Sequence, residues 1–129
     1  MPDARRLLRL EKQILHAVAP LVAHGLLDPR LRLVTVTRIR LSPDLSVARV
    51  NWSCLGDRAD RSKVARALEH ARGRIQAEVA KATRTRTTPH LQFHFDESLE
   101  KAQRALDILA KLERERGEPP PAAEEPPEG

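Results

Sequence analysis

Aromatic residues are nearly absent from this 129-residue chain: it has Trp52, Phe93 and Phe95 and no tyrosine. Modules that hold single-stranded nucleic acid by stacking its bases need exposed aromatic rings. All three rings here alternate with polar residues at positions a core would claim. Binding by base stacking is therefore not expected. Cysteine is just as scarce. Cys54 stands alone, which excludes an intramolecular disulfide and a thiolate metal cluster and fits a reducing compartment. No segment approaches about 18 consecutive apolar residues, and no apolar run of signal-peptide length opens the chain. A soluble, cytoplasmic protein with no membrane partner is expected. Catalytic motifs are missing too. Nothing resembles a nucleophile elbow, a phosphate-cradling glycine loop or a zincin histidine pair. His90, His94 and Asp96 share one strand face, but strand spacing leaves them open to solvent without a further ligand. That face is read as solvated and polar. Neither a metal, a cofactor nor an enzymatic activity is expected.

Charge is what the chain has in quantity. Charged residues make up 32% and the net charge is +5. The last residues, from Gly117, carry Glu118, Glu124, Glu125 and Glu128 and no Lys or Arg. The +5 therefore resolves into −4 on the tail and +9 on residues 1–116. A basic body suits an anionic partner, RNA or DNA first. The tail, rich in Pro and Glu, is expected to be disordered. The expected organisation is one domain over 1–116 and a tail over 117–129.

Periodicity predicts a helix from Asp3 to His24, with Leu7, Leu10, Ile14, Val18 and Leu21 on one face. Pro20 should kink or fray its last turn, and Gly25 should stop it. Asp28-Pro29-Arg30-Leu31 is turn chemistry. Leu33 to Leu41 reads as a strand of mixed parity: Val34 and Val36 point one way, Ile39 and Leu41 the other. A bulge or burial on both faces would reconcile them. After the turn at Ser42-Pro43-Asp44, Leu45 to Leu55 makes the second arm of an antiparallel hairpin. Asp60 or Ser62 would cap a helix carrying Val64, Leu68, Ala71, Ile75 and Val79. Gly73 lies inside that pattern, where glycine costs about 1 kcal/mol relative to alanine. Small residues at 71 and 73 could serve close packing. Alternatively the helix breaks there and presents backbone N–H groups suited to phosphate. Leu91, Phe93 and Phe95 mark a third strand after Pro89, and Ser98 would cap a last helix bearing Leu99, Ala102, Leu106, Leu109 and Leu112.

The element order gives an α+β layer, a three-stranded sheet covered by helices. Its candidate RNA contacts are basic stripes. Arg5, Arg9 and Lys12 line the first helix; Lys63, Arg66, Arg72 and Arg74 line the middle one. Lys81, Arg84 and Arg86 flank a threonine-rich boundary, where guanidinium groups and hydroxyls can wrap phosphates.

Four blocks carry a resemblance to a known family: Asp28-Pro29-Arg30-Leu31, the hairpin from Ser42 to Val50, Ala71-Arg72-Gly73, and the spaced set Arg84, Arg86, Pro89, Leu91, Phe93, Asp96 and Ser98. Together these resemble the ribosome-binding factor A family over about residues 5–112. The resemblance implies a type II KH-like domain, α-β-β-α-kink-α-β-α, with the kink at Ala71 and Gly73. None of the five glycines has the Gly-x-x-Gly spacing of an ordinary KH clamp. The resemblance further implies a non-catalytic assembly factor. It would bind free or precursor 30S subunits, support late maturation and 5′-end processing of 16S rRNA, and aid growth in the cold. The implied partners are 16S rRNA, the 30S subunit and an assembly GTPase, with the factor itself a monomer. The rival readings are a general KH-like RNA-binding module, a permanent ribosomal protein and a ribonuclease.

Overall fold

Val34, Val36, Ile39 and Leu41 are all buried, although their spacing in the chain puts the two pairs out of phase. The computed structural model, which describes residues 3–84 and 86–117, shows how. Strand β1 (Val34–Leu41) pairs antiparallel with β2 (Val47–Cys54), and the register slips between Val36 and Arg38. Thr37 is the extra residue of a β-bulge, which returns Ile39 and Leu41 to the face of Val34 and Val36. Of the two readings of the mixed parity, the bulge holds. Thr37 is fastened through its hydroxyl, which donates to Asp96 Oδ2 at 2.8 Å and to the Asn51 carbonyl at 3.3 Å.

The third strand, β3 (His90–Phe95), pairs with β2 in parallel, so the sheet order is β1-β2-β3. A parallel neighbour needs a long crossover. Two helices supply it: α2 (Arg58–His70) and α3 (Arg72–Thr83). With α1 (Ala4–Pro20) they cover one face of the sheet. Leu10, Ile14 and Val18 of α1 join Val64, Ala67, Leu68, Ile75 and Val79 of the crossover and Ala48, Val50, Trp52 and Leu91 of the strands in one core. Burying a side chain of this size contributes about 1.5–3 kcal/mol. The fold is the expected α+β, type II KH-like arrangement.

Several boundaries differ from expectation. The first helix ends at Pro20 and continues as a π-helical turn, Leu21–Gly25, ending at Gly25. Proline has no N–H to close an α turn and clashes with the carbonyl four residues back, so a wider turn is favoured. The cap of α2 is Asp57, neither Asp60 nor Ser62. Its carboxylate accepts from Asp60 N and Asp60 returns the bond to Asp57 N, both at 3.0 Å. That reciprocal capping box starts the helix at Arg58. Strand β2 is shorter than the apolar pattern, because Asp44 and Ser42 hold the hairpin turn up to Val47.

The chain divides into two units, Met1–Asp96 and Glu97–Gly129. In the second, α4 (Ser98–Glu115) buries none of its residues, and Ser98 is its first helical residue; the cap position is Glu97. The expected tail lies outside the described residues beyond Gly117.

Candidate nucleic-acid interface

The crossover breaks at Ala71, two residues before the glycine that the spacing singled out. Ala71, at φ −89° and ψ 0°, ends α2 and caps α3, so Gly73 falls in the first turn of α3. Ala71 offers no side chain to cap that turn. A Cβ built on Gly73 meets no atom within 4 Å. Neither packing within the protein nor backbone geometry requires glycine there.

Arg72, a candidate contact, is committed inward. Its guanidinium donates twice to Glu69, at 2.9 Å each, and to the Leu91 carbonyl, and it lies 5.0 Å from the Phe93 ring centroid. Gln76 donates in the same way to the Pro89 carbonyl. The match is geometric: four helical residues rise about 6 Å and two strand residues about 6.6 Å. Two side chains one turn apart on α3 thus reach successive outward carbonyls, Leu91 in the edge strand β3 and Pro89 just before it, acceptors that would otherwise go unused. The Arg72 bond holds the Glu69 carboxyl below its usual range and raises the guanidinium in turn. On the other edge, Glu11 Oε2 accepts from Leu41 N at 2.8 Å.

The other basic candidates are exposed and fall into three places. Arg5, Arg9 and Lys12 run along the outside of α1 and make no ion pair among the described residues. Their line continues to His16, which with Gln13, Lys81, Thr83 and Arg84 lines a cleft of about 530 Å³. The structure therefore joins the first-helix stripe to the boundary after α3. Lys81 makes a 3.6 Å contact with Glu78; Arg84 and Arg86 make no ion pair among the described residues. Arg84 caps α3 in the left-handed region, at φ 48°. Glycine is the usual residue there, and a side chain costs about 1 kcal/mol. Arg66 and Arg74 are exposed on either side of the break. Lys63 belongs elsewhere, lining a second cleft of about 370 Å³ with Arg30, Cys54 and Asp60.

Arg30 is not free to bind. It pairs with Asp28 at 2.6 Å, and the same Nη2 lies 3.2 Å from His70 Nδ1, tying the turn at Pro29–Leu31 to the end of α2. Its hydrogen bonds draw the Asp28 carboxyl down to about 2. Sequence reasoning also passed over Arg38, Arg40 and Arg49, all exposed on the sheet. Their signal was available: each alternates with a buried neighbour. Among the described residues no group of three or more His, Cys, Asp and Glu could hold a metal ion, and no helix is long and apolar enough to cross a membrane.

A three-stranded sheet under a broken crossover helix defines a type II KH-like domain. The family model described as Ribosome-binding factor A matches residues 6–109, and the chain belongs to that family. It is 42% identical to Ribosome-binding factor A of Frankia casuarinae over 90% of this chain and 68% of that one. With the Anaeromyxobacter dehalogenans protein of the same name it shares 39%, over 100% and 94%. The crystal structure of ribosome-binding factor A from Thermus thermophilus is 37% identical, with a TM-score of 0.59 over 67% of this chain and 92% of that chain. Coordinates of the Thermus thermophilus factor fitted into a cryo-EM map of a 30S–RbfA complex are 36% identical, with a TM-score of 0.57 over 69% and 93%.

Proposed function

We propose that this protein is a ribosome assembly factor that binds free or precursor 30S subunits through 16S rRNA. It supports late maturation and 5′-end processing of that RNA by occupancy, without catalysis. The observation that carries the reading is the exposed basic surface of Arg5, Arg9 and Lys12, which runs on into the cleft lined by His16, Lys81 and Arg84, in a chain of this family. Phosphates bind such a surface by charge and hydrogen bonding and release counterions as they do so. Arg84 supports it further, because a strained backbone at a charged, exposed residue is tolerated where the side chain has a task. The break at Ala71 gives a backbone access to the first turn of α3 beside Arg74. The protein would act as a cytoplasmic monomer, alongside an assembly GTPase, and would matter most in the cold, when rRNA rearranges slowly.

Sedimentation of a cell extract tests this. The protein should travel with free small subunits and be depleted from complete ribosomes. Equal presence in complete ribosomes would make it a permanent ribosomal protein. Equally tight binding to unrelated single strands would make it a general RNA-binding module, and turnover of pure precursor rRNA would make it a nuclease. Within the full chain, Arg84→Glu with Arg86→Glu should weaken subunit binding at moderate salt while leaving the melting temperature nearly unchanged.

A further inference from the structure

The face of the sheet away from α1, α2 and α3 is basic as well, and its charge is organised by strand pairing. The bulge that sends Ile39 and Leu41 into the core sends Arg38 and Arg40 outward. Arg40 stands directly across from Arg49, and Arg49 is in register with Gln92 of β3. One row further, Arg38 faces Asn51, which is in register with His94. The result is two parallel rows, Arg40-Arg49-Gln92 and Arg38-Asn51-His94, about 7 Å apart along the strands, with neighbours in each row about 5 Å apart.

Three features single this patch out. First, like charges directly opposite each other in a sheet destabilise it, yet Arg40 and Arg49 are paired so. Second, no outward position of the three strands holds Asp or Glu, and the three arginines make no ion pair among the described residues. Asp96, one residue past β3, accepts the Thr37 hydroxyl. Third, amide and imidazole side chains complete each row in place of the Phe, Tyr or Trp rings of a base-stacking platform, so the patch suits phosphates and hydroxyls.

We propose that this open sheet face is a second RNA-backbone contact, on the opposite side of the sheet from the α1 and Arg84 surface. The factor then lies between two RNA segments and bridges them. The inference rests on the reading that the chain binds the small subunit. Charge complementarity selects RNA as the occupant: a subunit surface is largely phosphate, and the patch offers three fixed positive charges with hydrogen-bond donors between them.

The test uses the full chain and purified small subunits, with binding measured across a salt series. The triple variant Arg38→Gln, Arg40→Gln, Arg49→Gln should reduce the slope of log K against log salt by about 2, near 0.7–0.9 per lost phosphate contact. Its affinity at low salt should fall by at least tenfold. The triple Arg→Lys variant should keep the slope, which separates loss of charge from loss of fold. Melting supplies the second control, because the Gln variant loses a like-charge pair and should melt no lower than the wild type. An unchanged slope and affinity in the Gln variant overturns the sheet contact while the wild type still binds subunits. Tighter binding by the Gln variant also overturns it, and assigns the patch to an acidic protein segment such as the chain's own Glu-rich end. A wild-type chain that fails to bind subunits overturns the parent reading instead.

Discussion

Gly73→Ala should make this protein more stable and a poorer ligand for the small subunit. Gly73 is the second residue of α3, exposed, and a Cβ there meets no atom within 4 Å. The substitution therefore meets no steric penalty inside the protein. Alanine is favoured over glycine by about 0.8–1 kcal/mol in a helix interior, and by less in the first turn, where fewer backbone bonds are made. A gain of about 0.5 kcal/mol follows, which for a domain of this size is a rise of roughly 2–3 °C in melting temperature. The effect on binding has the opposite sign. A methyl group beside Arg74 would hold an RNA backbone off the first turn of α3 and forfeit about one hydrogen bond, 1–1.5 kcal/mol or near tenfold in affinity. Circular-dichroism melting and subunit binding on the same preparation read both quantities. A fall in melting temperature would refute the placement of Gly73 in an open helical turn. A rise with unchanged affinity would remove the break from the interface and leave the basic surface alone.

Arg72→Lys should cost about 1–3 kcal/mol in a urea titration, because lysine cannot span Glu69 and the Leu91 carbonyl while lying on Phe93. Arg74→Lys, on an exposed side chain, should cost nothing measurable in the same titration. Deleting Thr37 removes the bulge and turns two large apolar residues of β1 to the wrong face, at about 3–6 kcal/mol, comparable with the whole stability of a small domain. Loss of the dispersed amide spectrum is expected, and a native-like spectrum would show that β1 can re-register. The Asp28 and Asp44 carboxyls are both held near 2, Asp28 by hydrogen bonds from Arg30 and Asp44 by those from Ser46 and Ser42. Their folded values lie below the ordinary one near 4, so their stabilisation is present above pH 4 and lost as pH falls toward 2. Melting temperature should drop across that window, and Asp44→Asn should flatten the drop.

Local pattern alone was enough for most of the elements. The alternation of Leu91, Phe93 and Phe95, the four-and-three spacing of Leu10, Ile14 and Val18, and the turn at Asp28-Pro29 each depend on residues a few positions apart. Those interactions form within one element, so sequence spacing reports them. Tertiary structure decided what spacing cannot carry. The parallel placement of β3 beside β2, which the α2–α3 crossover makes possible, lies beyond any local pattern. Arg72 looked like one more basic residue on a stripe until β3 was placed beside α3, where an unused edge carbonyl claims its guanidinium. Arg38, Arg40 and Arg49 are scattered in the chain and become one patch only through the bulge and the strand register. Charges and edge carbonyls far apart in sequence acquire a role only when folding sets their separation.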